Sequence, residues 1–169
     1  MTTATTTDIH IPALGAYLPE QGGYFHGIYL LDGHLWGEVT APKAGGELLD
    51  VKWHSKYSAI KDASSDWDGL ANTQAMARAG SELANHALAL DLGGHTDWYL
   101  PARGGVLQQW GIRKALPRSE QFAKRSHWTS TQCGRYDAFG QNFSTGVTNV
   151  SSKDWEGGAA RFARRFPLS

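Results

Sequence analysis

Apolar and polar positions divide the chain into an irregular opening, a strand-rich stretch, a helix-rich middle and a second strand-rich stretch. Residues 1–22 begin with Thr2-Thr3-Ala4-Thr5-Thr6-Thr7 and continue through Ile9, Ile11, Leu14, Tyr17 and Leu18, broken by Pro12, Gly15 and Pro19. Those breaks forbid a regular helix. The segment reads as an extended arm across its own domain or a neighbour, with the neighbour favoured because an apolar arm is a simple handle for assembly. Residues 23–60 read as strands. Tyr24 to Leu31 is aromatic and branched, Asp32-Gly33 is a hairpin signal, Leu35 to Ala41 is the return strand, and a third strand spans Leu48 to His54. After the polar loop at residues 61–69, Asp68 is placed to cap one helix with Met76, Ala79, Leu83, Ala87 and Leu90 on its inner face. A second helix fits Gly105 to Trp110, with Pro117 as its outer limit.

The stretch Gly93-Gly94-His95-Thr96-Asp97-Trp98-Tyr99-Leu100-Pro101 is the hinge between helices and later strands. Its glycines can take the left-handed conformation that ends a helix. Four extended residues then put Trp98 and Leu100 on one side, as a plug between helix and sheet, and Asp97 and Tyr99 on the other. Beyond it, His127 to Thr131, Ala138 to Phe143 and Val147 to Val150 are short strands, and Ala160 to Phe166 closes the chain with Phe162 and Phe166 on one face. The division is an arm at residues 1–22 and one domain at residues 23–169, with N-terminal strands at 23–60 and a core at 61–169.

Composition sharpens this picture. With 169 residues, 41% of them hydrophobic, the chain can build one substantial core. Lys+Arg and Asp+Glu both number 16, a balance that argues against a dedicated nucleic-acid binder. The balance conceals an asymmetry: residues 1–100 hold 5 basic and 12 acidic side chains, and residues 101–169 hold 11 and 4. Either the halves neutralise each other, or a basic face meets an anionic partner such as a phosphorylated or acidic glycan. Arg161, Arg164 and Arg165 carry the same choice, with internal pairing favoured. Cys133 is the single cysteine, so no internal disulfide forms. The opening residues do not resemble a secretory signal, and nothing reads as a membrane span.

The ordered set of residues 93–101, His127-Trp128-Thr129-Ser130-Thr131, Ala138 to Gly146 and Ala160 to Arg165 resembles the C-type-lectin-like domain of the collagen-like-adhesin C-terminal family. Trp67-Asp68-Gly69-Leu70-Ala71-Asn72-Thr73-Gln74-Ala75-Met76 is similar to members carried by tailed phages and prophages. The resemblance spans about residues 50–166. It implies an α+β lectin-like fold with two helices and a small, mostly antiparallel sheet, preceded here by the hairpin and arm. It further implies a non-enzymatic virion component at the tail tip or particle surface, whose last strands recognise a host surface glycan or receptor. The expected partners are that ligand and other virion subunits, met through residues 1–22 in a homo-oligomer, with no nucleic acid and no membrane insertion. A purely architectural virion or baseplate subunit is the alternative, and a formylglycine-generating-like or glycan-cleaving enzyme the second.

Candidate chemistry narrows to recognition. Ser64-Ser65-Asp66-Trp67-Asp68-Gly69 is faintly similar to a calcium loop, but Ser64 stands at its first ligand position and Ala75 where a glutamate belongs. The seven histidines include no His-x-x-x-His pair, so neither a metal nor a cofactor is expected. Cys133 lacks the partner that formylglycine-generating chemistry needs, and Ser126-His127 adjacency is not a dyad. Among 7 Trp and 6 Tyr, strand residues Trp36, Trp98 and Trp128 read as core. Trp155, in the polar loop at 153–158, and Tyr136, in Gly134-Arg135-Tyr136-Asp137, read either as folded-back loop aromatics or as platforms for a sugar ring. Asp154, Asn142 and Asn149 complete the expected ligand-binding set.

Overall fold

The computed structural model describes residues 9–168 as a mixed α+β fold with two sheets and an intervening group of helices. The first sheet has the order β1-β2-β3-β9, comprising β1 (Tyr17–Leu18), β2 (Gly23–Leu31), β3 (His34–Thr40) and β9 (Ala163–Pro167), all antiparallel. Asp32 and Gly33 join β2 to β3 with φ of 49° and 76°. Two positive φ values match the right-handed twist of the flanking strands, which is why this dipeptide makes so tight a hairpin. The second sheet has the order β4-β8-β5-β6-β7: β4 (Glu47–Val51), β8 (Gly158–Arg161), β5 (Ser126–Gln132), β6 (Asp137–Asn142) and β7 (Thr148–Ser152). Its neighbours are antiparallel except at β5 and β8, which meet in parallel through His127 and Ala159.

α1 (Lys43–Gly46) is a single irregular turn, with Ala44 and Gly45 outside helical backbone conformations. α2 (Gly69–Arg78) begins where the Asp68 carboxylate accepts from Ala71 N at 3.0 Å. The sequence pattern predicts one helix continuing to Leu90. The structure breaks it at Gly80, with φ of 91°, and starts α3 (Glu82–Ala89) from a new cap at Ser81. The Ser81 hydroxyl accepts from Ala84 N and donates to Trp53 O at 2.7 Å, a buried contact that a continuous helix would lack. The break rotates the apolar stripe. Met76, Leu83 and Ala87 reach the core, whereas Ala79 is exposed. α4 (Arg103–Ile112) packs against β2 of one sheet and β5 and β6 of the other. Gly27 on β2 leaves room for Gln108 of α4, whose amide donates to Ile28 O at 2.8 Å. A 3-10 turn at Arg118–Glu120 follows. The fold therefore has three full helices rather than two.

Trp98 and Leu100 are fully buried among Phe25, Val39, Met76, Trp128 and Phe162, as the plug requires. The hinge is not a strand, however. Its sheet-like contacts are two isolated bridges, His95 to Leu92 and Tyr99 to Ala163. Tyr99, predicted on the outer side, is buried as well, because its hydroxyl donates to the buried Glu38 at 2.6 Å. His26 Nε2 donates to the other oxygen of Glu38 at 2.8 Å, and Thr40 Oγ1 lies 2.9 Å from His26 Nδ1. The Tyr99 hydroxyl, the Glu38 carboxylate and both His26 ring nitrogens thus find partners inside.

The closing segment is two strands, not one. β8 ends at Arg161 in the second sheet, and β9 begins at Ala163 in the first. Phe162 sits at the switch, donating to Gly46 O at 3.0 Å and accepting from Ala41 N at 2.9 Å. In the described part of the arm, Tyr17 and Leu18 pair with Tyr24 and Gly23 of the chain's own β2, which docks that end on the domain. Residues 1–8 lie outside the described residues. Among the described residues, no helix is long and apolar enough to cross a membrane.

Gly158 is fixed by packing. A Cβ there would run into the Trp128 indole, whose Nε1 donates to Val51 O at 2.8 Å. Gly158→Ala should cost about 1–3 kcal/mol by overpacking, read as a lower urea midpoint with unchanged slope; a midpoint equal to the parent's would contradict this packing.

Candidate functional site

β7 is the free edge of the second sheet, and the hairpin it makes with β6 exposes its two ends to different surroundings. At one end Asp137 pairs with Ser152, Lys153 N donates to Tyr136 O at 2.9 Å, and the turn at 153–157 follows. Tyr136 is 57% exposed there. Its ring meets Tyr57 edge-on at 5.6 Å, and the Arg135 guanidinium lies 5.7 Å from its centroid. Tyr57 arrives on the loop after β4, and its hydroxyl is 3.2 Å from Ser152 Oγ. Ser152 donates to Asp154 at 2.7 Å. The Tyr57 and Ser152 hydroxyls hold the Asp154 carboxyl below the usual carboxylate range. Two exposed rings, a hydroxyl and a carboxylate thus occupy one edge.

Trp155 stands on the same turn, its N–H donating to Ser152 O at 3.0 Å. One edge of its indole rests against Trp128 at 5.9 Å and 73°, and 42% of the residue stays exposed. It is both folded back and accessible, so the two readings of loop aromatics are not exclusive here. The ion pair between Lys52 and Glu156 at 3.0 Å ties this turn to the end of β4.

The structure separates the two asparagines from this edge. Asn142 lies at the opposite end of β6, roughly 20 Å away at about 3.4 Å per strand residue. Its side-chain oxygen accepts from Ser144 N at 2.8 Å and Thr145 N at 3.1 Å, which shapes the turn into β7. Asn149 is mid-strand, accepting from Ser126 Oγ at 2.8 Å and donating to Ser151 Oγ at 2.9 Å. The Asn149 amide is thus bonded at both ends within the sheet, and the Asn142 oxygen is bonded to the turn. Of the expected set of Tyr136, Asn142, Asn149, Asp154 and Trp155, the structure brings Tyr136, Asp154 and Trp155 together at one end of the hairpin. Tyr57 is the residue that sequence reasoning missed. The signal was an aromatic between Lys56 and Ser58, just beyond the last residue of a predicted strand.

Beneath the edge lies an unusual cation. The Lys153 side chain is fully buried, with Nζ donating to Ser58 O at 2.8 Å and Gln132 Oε1 at 3.0 Å, 4.7 Å from the Trp53 centroid. Burial draws its ammonium down to about 8, against a weaker opposing pull from Asp137. The Lys153 amine anchors the loop that carries Tyr57 to the turn that carries Asp154.

The basic C-terminal residues are paired. Arg161 meets Glu120 at 3.0 Å and Glu47 at 3.6 Å, Arg164 meets Asp97 at 2.7 Å, and Arg165 meets Asp68 at 3.2 Å. Burial alone would raise the Glu47 carboxyl, but His127, Arg161 and Lys43 hold it below its ordinary range. Arg164 does the same for Asp97 against its partial burial. In the loop similar to a calcium site, Ser65 Oγ accepts from Asp68 N at 2.8 Å, and Asn72 exchanges hydrogen bonds with the Ser65 backbone. Among the described residues no three His, Cys, Asp or Glu side chains group as metal ligands.

No family model matches the sequence, and no curated protein matches it.

The depressed Lys153 value has a definite sign. In the unfolded chain the lysine keeps its proton up to its ordinary 10.5, whereas the folded chain releases it from about 8. Between those values the unfolded state binds more protons, so this group makes stability rise with pH. The urea midpoint should therefore climb from pH 8 towards 10 relative to that of Lys153→Met, whose profile lacks the rise; parallel profiles would refute the buried-amine account.

Proposed function

We propose that this chain is a lectin-like, non-enzymatic binding module of a tailed-phage particle, exposed at the tail tip or surface, and that it holds a host surface glycan on the Tyr57–Tyr136–Asp154–Trp155 edge. The observation that carries the reading is the exposure of three aromatic side chains on one edge, beside a hydrogen-bonded Ser152–Asp154 pair. A sugar ring has apolar C–H faces and polar rims, and an aromatic edge with a fixed acceptor matches both. The rigid second sheet and the buried Lys153 anchor prearrange the site, which lowers the ordering cost of binding. A lectin-like assignment is supported by the last strand closing antiparallel on the early hairpin, with the helices in between. The phage setting rests on the ordered motifs at 67–76, 93–101 and 127–146.

Tyr136→Ala and Trp155→Ala should each weaken adhesion to host cells about tenfold, with Asn149→Ala as a comparison that leaves the edge intact. Thermal midpoints of the Tyr136 variant should stay near the parent's. Unchanged adhesion in both aromatic variants would remove the proposed edge.

A second reading, assembly with other virion subunits, is favoured by the arm. Ile9, Ile11, Leu14 and Tyr17 are all between 45% and 61% exposed, although they precede or begin a strand that is docked on the domain. Replacing Ile9, Ile11 and Leu14 by serine should shift the sedimenting species from oligomer to monomer while the β1–β2 pairing survives; an unaltered distribution would exclude the arm as the contact.

A further inference from the structure

The hairpin end farthest from the aromatic edge opens on a second recess, of about 410 Å³, lined by Trp110, Arg113, Lys114, Phe122, Lys124 and Phe143. Its floor is aromatic. Phe122 stacks on Phe143 at 4.1 Å, and Trp110 meets Phe143 edge-on at 5.6 Å. Its rim is cationic. Among the described residues, Arg113, Lys114 and Lys124 have no carboxylate within ion-pair distance, and neither does Arg118 on the adjoining turn. The one acid in this segment, Glu120, is turned away, held by Lys43 N at 2.7 Å and Arg161 at 3.0 Å. The contrast with Arg161, Arg164 and Arg165 is sharp: those are neutralised by partners, and the rim cations are not.

Arg113 is also held ready. Its guanidinium lies 3.4 Å from the Trp110 centroid, and one terminal nitrogen donates to Trp110 O at 2.8 Å at the end of α4. One face and one donor are thereby fixed, leaving the rest of a planar fork for an anion. Such a fork recognises a carboxylate or phosphate with two parallel bonds and loses little entropy in doing so. Ser144 and Thr145 add hydroxyls on a turn that Asn142 keeps in shape.

We infer that this recess is a second ligand site, for an anionic saccharide whose carboxylate or phosphate ester meets Arg113, with Lys114 and Lys124 alongside and its ring over the Phe122–Phe143 floor. The volume fits one or two sugar rings. A nucleic acid is the less suitable occupant, because the formal net charge is zero. The site is independent of the aromatic edge, from which the length of β6 separates it.

Calorimetry on the full chain tests this with a tetragalacturonate, glucose 6-phosphate, a neutral galactose tetramer and a single-stranded DNA decamer. The expected result is binding of one or both anionic sugars, weakened by added salt, with the neutral tetramer silent. Uronate binding alone identifies a carboxylate ligand, and sugar-phosphate binding alone identifies a phosphate ester. Arg113→Lys should lower affinity about tenfold by removing the fork while keeping the charge, the exposed Lys124→Gln should also weaken binding, and Tyr136→Ala should leave it unchanged. Absence of binding, equal binding of the neutral tetramer, an Arg113→Lys variant with parental affinity, or preference for DNA would overturn the proposal. Because the Tyr136 variant reports on the other edge, failure here and failure of the adhesion reading are separable.

Discussion

The structure depends on a crossing at Phe162. A chain that pairs with β4 and β5 on one side of this residue pairs with β3 on the other, so one short segment belongs to both sheets. The crossing is fixed by main-chain bonds to Ala41 and Gly46 and by a fully buried ring. Trp98 and Leu100 fill the space around it, and Tyr99 adds reciprocal backbone bonds to Ala163 at 2.9 Å. A buried backbone group without a partner costs about as much as a lost hydrogen bond, and here the hinge supplies partners at the point where neither sheet can. Packing and backbone satisfaction coincide at one place, which makes two sheets into one body.

Electrostatics follow from that crossing. β9 carries Arg164 and Arg165 past Asp97 and Asp68, while β8 brings Arg161 to Glu47 and Glu120. Three cations of the second half thus meet carboxylates of the first half where the last strands return. Arg113, Lys114, Arg118 and Lys124 are outside this return path, between α4 and β5, and stay positive. The aromatic edge has a comparable origin. Among the described residues no strand lies beyond β7 in the second sheet, so the turns that border it are free to present side chains.

Much of this was legible in the residues. Asp32-Gly33 and Asp68 act through local rules, a two-residue turn and a helix cap, and both stand where the sequence places them. Trp98 and Leu100 read as core because two large apolar residues at a spacing of two demand one buried side. Gly80 was harder. A glycine inside an alanine-rich stripe is tolerated in a helix, but Gly80 at positive φ ends α2 with Gly80 N donating to Ala77 O and Ser81 N to Met76 O, and Ser81 then caps α3 and bonds the distant Trp53 O. The division of Ala160 to Phe166 into two strands is likewise non-local, since it needs two different sheets to be in place. Asn142 and Asn149 belong to the same hairpin as Tyr136, but which polar side chain a strand consumes internally depends on its neighbour's register, and Ser126 is not adjacent in sequence. The recess at Arg113 was visible only as a run of charge, because its aromatic floor comes from three separate elements.

Native-state hydrogen exchange measures the central claim most directly. If Phe162 joins the sheets, the amides of Tyr99, Phe162 and Ala163 should exchange only through global unfolding, with the same free energy and denaturant dependence as amides in β3 and β5. Exchange of β2, β3 and β9 at a lower free energy than β5 and β6, with Phe162 opening alongside them, would show two separable units and contradict the account.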